Sequence, residues 1–131
     1  MSVWAKIVER HKMTLRIKRV YAEPDRTDGK RILVDRLWPR GLTKEKAKVD
    51  LWLKDVAPSS ELRKWFGHDP KKWLEFKRRY KEELKALGSP LIALREETRQ
   101  KAVTLLYGAR DQEHNEAVVL LELLQKDNGS V

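Results

Sequence analysis

The sequence predicts a small three-layer α/β sandwich, in which a mostly parallel sheet is covered by helices, and three observations carry that prediction. Two short segments, RILVD from Arg31 and AVTLLY from Ala102 to Tyr107, have continuous rather than alternating apolar residues. That is the pattern of strands buried on both faces. Between and after them lie segments with helical periodicity, bounded by capping residues, proline and glycine. A parallel partner is reached only through a crossover, so strands alternating with helices imply a parallel sheet.

The elements follow in order. Residues 1–12 precede the regular pattern and read as an N-terminal extension, residues 13–126 as the single α/β domain, and residues 127–131 as a frayed tail. The stretch TLRIKRVY, with Leu15, Ile17 and Val20, reads as a strand, and the following AEPDRTDGK carries Pro24 and the turn pair Asp28-Gly29. RILVD is the next strand, with Ile32, Leu33 and Val34 as its core. Thr43 suits the cap of a short helix reaching Lys48; Ser59 or Ser60 suits the cap of another through ELRKWF, closed by Gly67. Asp69 and Pro70 open a helix over 70–87, and Gly88 lies past its end. Its buried stripe is Trp73, Phe76, Tyr80, Leu84 and Leu87. Opposite charges four residues apart (Lys71 with Glu75, Glu75 with Arg79, Arg78 with Glu82, Arg79 with Glu83) make KRRYK a solvated helix face. Ser89-Pro90 starts a further helix ending near Lys101, and AVTLLY follows as a strand. Asp111 signals a final helix from Gln112 to Lys126, with Val118, Leu121 and Leu124 or Leu120 facing inward.

Composition narrows the function classes. A chain of 131 residues suits one domain, and 40% hydrophobic residues beside 37% charged ones exclude general disorder. The absence of cysteine removes disulfides, thiolate metal sites and cysteine nucleophiles together. No apolar run approaches the roughly 20 residues of a membrane span, and the start MSVWAKIVERHK has no apolar signal core. No membrane contact and a cytoplasmic location are therefore expected. The formal charge is +9, with eleven Lys/Arg against five Asp/Glu in residues 1–42. Such a field attracts nucleic acid, nucleotides or anionic metabolites, and it also serves solubility.

Ligands of open parallel sheets bind beyond the carboxyl ends of the strands. Two loops qualify: DRLWPRGL after the second strand, with Asp35, Arg36, Trp38 and Arg40, and GARD after the last, with Arg110 and Asp111. The latter leads into a helix expected to carry His114 and Asn115 on its first turn. Arg36, Trp38, Arg40, Arg110 and Asn115 are the candidate ligand-binding residues, because guanidinium forks and a helix N-terminus both suit phosphate or carboxylate. Asp35, His68 and Asp111 are the candidate acid/base residues for a hydrolysis or group-transfer step. Each also has a structural use: Asp35 with Arg36 as a loop-fixing ion pair, Asp69 and Asp111 as caps, His68 and Trp38 as packing. His11, His68 and His114 lack ligand spacing, and there is neither a phosphate-loop lysine motif nor a dinucleotide glycine fingerprint, so no metal or cofactor is expected.

The strings ILVDRLWPRGL, WLKDVAPSSELRKWFGHDPKKWLEF and VTLLYGARDQEHNEAVVLLELL together resemble the domain-of-unknown-function 488 family, in its short YeaO-like branch. The resemblance spans about Met13 to Leu124 and implies a small α/β domain, with no substrate or catalytic residue to carry over. Longer members of the family are similar around Asp35 and Arg36 but tend to place Cys, Glu and a Cys-His-Arg string around the last strand and helix. Here those regions hold Tyr107, Ala109, Asn115, Glu116 and Ala117, which puts any thiol or metal role in doubt and leaves an arginine-and-aspartate site. The leading expectation is a domain binding a small anionic ligand, a nucleotide or another phosphate-containing metabolite. The alternatives are a nucleic-acid-binding module using the basic N-terminal third and helix 70–87, and a structural or partner-binding protein.

Overall fold

Every residue of VTLLY is buried, and this segment is the strand on which the others assemble. The structure, a computed structural model, describes residues 14–129, with side chains through Lys126; the expected N-terminal extension and the end of the expected tail lie outside the described residues. Strands β1 (Leu15–Arg19), β2 (Lys30–Leu33), β3 (Leu51–Trp52) and β4 (Val103–Tyr107) form one sheet in the order β1-β4-β2-β3. All three pairings are parallel, with Ile17 opposite Leu105 on one side of β4 and Ile32 opposite Leu105 on the other. The chain is thus the α/β protein with a parallel sheet that its apolar runs imply. β3 has only two residues, too few to show a pattern in the sequence.

Strand residues alternate between two faces. One face carries Ile32, Val103, Leu105 and Tyr107, packed beneath α2 (Ser60–Phe66), α3 (Trp73–Lys85), α4 (Ser89–Gln100) and α5 (Glu116–Gly129) in the main core. The other face carries Leu33 and Leu106, packed with Val20, Trp38, Leu42, Val49 and Trp52. Its cover is the β1–β2 connection and the segment after β2, which contains a single helical turn, α1 (Lys44–Ala47). The local start and stop signals are used as their chemistry suggests. Thr43 accepts from the Lys46 N–H, Ser59 from that of Leu62, and Gly67 ends α2 in the left-handed region at φ 53°.

The second face holds a buried ionic cluster. Asp28 receives Arg31 Nη1 at 2.6 Å and Lys18 Nζ at 3.1 Å, and the side chains of Asp28 and Arg31 are almost wholly buried. Arg31 also donates to the carbonyls of Lys48 and Ala47, which fastens α1 to the amino end of β2. Gly29 makes the approach possible: its φ is 66°, and a Cβ there would meet the Ala102 carbonyl oxygen.

Three expectations are corrected. The 70–87 segment opens with a short 3₁₀ turn at Pro70–Lys72, capped by Asp69 through Lys71 N–H; α3 then ends at Lys85, and Gly88 flanks the start of α4 instead. Of the charge pairs on α3, Glu75 with Arg79 forms, but Arg78 also turns to Glu75. Glu83 accepts from the backbone N–H and hydroxyl of Ser59, a tertiary bond that removes it from the expected pair with Arg79. Finally, α5 begins at Glu116 rather than Gln112. Asp111 caps a turn, accepting from the N–H groups of Glu113 and His114, while Asn115 takes the helix cap by accepting from Val118 N–H. His114 and Asn115 therefore precede the helix.

Candidate functional site at the carboxyl edge of the sheet

Parallel strands deliver their carboxyl ends to one side, and here that side opens into a cavity of about 450 Å³. The loop after β2 supplies Asp35, Arg36, Trp38 and Arg40; α2 and the turn after it supply Arg63, Phe66 and His68; the segment entering α5 supplies His114, Asn115 and Glu116. Backbone anchors hold the first loop: Trp52 Nε1 donates to the Asp35 carbonyl, Trp38 Nε1 to that of Leu42, and the Tyr21 hydroxyl to that of Arg40. Trp38 and Trp52 meet edge to face at 5.5 Å.

The floor is acidic. Asp35 Oδ2 accepts from Gly108 N–H at 2.8 Å, joining the ends of β2 and β4. A Cβ at residue 108 would lie 2.9 Å from that oxygen, so glycine permits the approach. Glu116, on the first turn of α5, is hydrogen-bonded to Asp35; burial, then the Asp35 carboxylate against it, pushes the Glu116 carboxyl far above its ordinary value. No ion pair to either carboxyl occurs among the described residues.

The rim is basic. Arg36 donates to the carbonyls of Pro58 and Ala57, each at 3.2 Å, so its Nε and Nη2 are engaged by the protein. Arg40 and Arg63 are exposed and line the cavity. His114 Nδ1 lies 2.8 Å from Asp111 Oδ2. This contact, with the N–H groups of Glu113 and His114, holds the Asp111 carboxyl below its ordinary value. With Asp111 ionised, Nδ1 donates to it, and the ring lines the cavity. His68 has φ 57°, the left-handed region, and its ring lies 6.2 Å from that of Phe66.

Six sequence candidates meet in this cavity: Asp35, Arg36, Trp38, Arg40, His68 and Asn115. Arg110 and Asp111 line an adjoining hollow that shares His68, Gly108 and Ala109 with it. Asn115 is held inward, 3% exposed, donating to the Asp111 carbonyl. Sequence reasoning passed over Arg63 and Glu116, and placed His114 beside the site without a role. An acidic first-turn residue is the ordinary complement of a helix dipole, and nothing local distinguishes Glu116 from that use. Among the described residues, much of the basic N-terminal third is tied into the structure: Arg16 donates to the Thr27 carbonyl, Arg19 to those of Ala109 and Gly108, and Lys30 pairs with Glu97. Among the described residues no group of three His, Asp or Glu is arranged to hold a metal ion, and no helix is long and apolar enough to cross a membrane.

Comparison with known proteins places this chain among close relatives. The family model described as the inactive DUF488-N3 subclade matches residues 14–129. The uncharacterised protein Rv3073c of Mycobacterium tuberculosis is 44% identical over 110 residues, which cover 84% of this chain and 92% of the relative. The uncharacterised protein YeaO of Escherichia coli is 39% identical over 113 residues, covering 86% of this chain and 98% of the relative. No solved structure matches.

Proposed function

Since this chain belongs to the family described as the inactive DUF488-N3 subclade, we propose that it is a binding domain which holds a small phosphate-bearing metabolite, such as a nucleotide, at the carboxyl edge of its sheet without turning it over. The observation that carries this reading is the cavity itself. Arg40 and Arg63 stand at its mouth with no side-chain partner among the described residues, so their guanidinium groups are available to an anion. Its volume of about 450 Å³ suits a small molecule. In this reading Arg36 shapes the loop, Asn115 and His114 line the ligand's path, and Arg110 adds positive charge from the adjoining hollow. Asp111 orients His114, and His68 stands at the edge as a hydrogen-bonding group. Asp35, His68 and Asp111 then serve binding rather than acid/base chemistry, in keeping with the family's description.

Titration calorimetry with inorganic phosphate and a panel of nucleoside monophosphates tests the proposal. Saturable binding is expected, and Arg40→Ala and Arg63→Ala should each weaken it about tenfold, the loss of one charged hydrogen bond at a partly solvated position. Undiminished affinity in both variants, or no saturable binding by any of these ligands, would remove the reading.

Helix α3 offers the means to weigh nucleic acid against a small ligand. Arg78 and Arg79 both donate to Glu75, and Arg79 lies 4.2 Å over the Trp65 ring, so their charge is spent locally. Together these contacts drive the Glu75 carboxyl down to about 2. Reversing both arginines to Glu should leave monophosphate affinity within about twofold, as for surface changes away from a site. Loss of most oligonucleotide binding in that variant, with a steep salt dependence in the parent, would favour the nucleic-acid module.

A further inference from the structure

We propose, resting on the phosphate-ligand reading above, that the cavity holds a mononucleotide with its base inward: the Asp35–Glu116 carboxyl pair receives the N–H edge of the heterocycle, and Arg40 and Arg63 take the phosphate at the mouth. The starting point is a mismatch of charge. A chain of formal charge +9 puts two carboxyls side by side at the floor of its arginine-rimmed cavity. The guanidinium closest in sequence, Arg36, is directed to the carbonyls of Ala57 and Pro58 instead. A bare anion gains nothing from such a floor and is repelled by it. A ligand that is anionic at one end and rich in N–H donors at the other satisfies both ends.

The chemistry of the floor narrows the donor group. Asp35 Oδ2 accepts from Gly108 N–H and the Asp35 and Glu116 carboxyls lie against each other, so only the oxygen capacity left over from these contacts is offered to a ligand in the cavity that both residues line. Beside Asp35, a Glu116 carboxyl biased toward its protonated form by burial offers a donor as well as acceptors within a few ångströms. That set complements the edge of a nucleobase, where an amino or imino N–H adjoins a ring nitrogen or carbonyl. The walls agree with a flat ring: Trp38 closes one side, while Phe66 and Phe76, stacked at 4.3 Å, form another. Sugar hydroxyls also bind carboxylates, so a sugar phosphate is the necessary control.

Calorimetry on the whole protein with AMP, GMP, CMP and UMP, compared with ribose 5-phosphate, reads the proposal directly. At least one nucleotide should bind about tenfold or more tightly than ribose 5-phosphate, the usual value of hydrogen bonds to a charged group. Asp35→Asn and Glu116→Gln keep shape and an oxygen acceptor. Each should shrink that advantage to about threefold or less while leaving ribose 5-phosphate affinity equal or higher, since negative charge has been removed. A merely structural role would lower both affinities together, and that outcome overturns the proposal. Ribose 5-phosphate binding as tightly as every nucleotide overturns the base-inward orientation while the phosphate reading stands. Failure of all these ligands overturns both. A trinucleotide binding more tightly than every mononucleotide would transfer the site to nucleic acid and sink the small-molecule assignment.

Discussion

Replacing Asp28 by Ala is expected to lower the unfolding free energy by about 3 to 5 kcal/mol, the usual consequence of removing one partner from a buried ion pair. Arg31 would remain almost fully enclosed, still held by the carbonyls of Lys48 and Ala47 but facing no carboxylate. Burial opposes ionisation of Asp28, but the Asp25 backbone N–H, Lys18 and Arg31 outweigh it and hold the carboxyl below its ordinary value. A carboxyl depressed in the folded state stabilises the fold above its unfolded pKa and loses that contribution as pH falls through the folded one. Urea unfolding at neutral pH should show the full loss, and the difference between parent and variant should narrow in acid. A loss below about 1 kcal/mol would mean that water reaches the cluster, as it does for surface pairs. Replacing Asp28 and Arg31 together by Leu and Met should recover part of the stability, because the cost lies mainly in the stranded charge.

Glu116→Gln is expected to stabilise the protein at neutral pH and to remove part of its pH dependence. The sign follows from the raised carboxyl. Between the unfolded pKa and the higher folded one, the native chain keeps a proton that the unfolded chain has released, so stability falls as pH rises. Relative to the Gln variant, the parent should lose up to about 1.4 kcal/mol per pH unit across that window. The Gln amide can donate to Asp35 as the protonated acid does, without a proton to lose. Parallel stability profiles for the two proteins from about pH 5 to neutrality would show that Glu116 ionises freely and that the floor carries two full negative charges.

Much of the scaffold was legible. Ile32-Leu33-Val34 and Val103 to Tyr107 read as doubly covered strands because a β-strand buried on both faces leaves no polar position. Thr43, Ser59, Gly67 and Asp69 read as helix punctuation because each is used within three or four residues of itself. The loop 35–40 was legible as site material from the chain direction alone, since parallel strands must release their loops on one side. Less could be read where two bonding schemes share one local signature. Asp111 satisfies N–H groups two and three residues ahead whether it opens a helix or a turn, and the choice fell to Asn115, held inward beside β4.

What the sequence determined by itself is therefore everything encoded over short range: strand and helix identity, most caps, the parallel sheet and the family to which the chain belongs. Only the tertiary structure decided how charges are spent. The basic first third looks like a surface field in the sequence, yet Lys18 and Arg31 lie in a cluster with Asp28, and Arg19 and Arg36 are bonded to backbone carbonyls. Glu116 looks like a helix-dipole partner until Asp35, 81 positions earlier, is placed against it. The physical reason is range. Periodicity and capping act between neighbours along the chain, whereas a carboxyl's charge state depends on what burial and distant loops bring within a few ångströms of it.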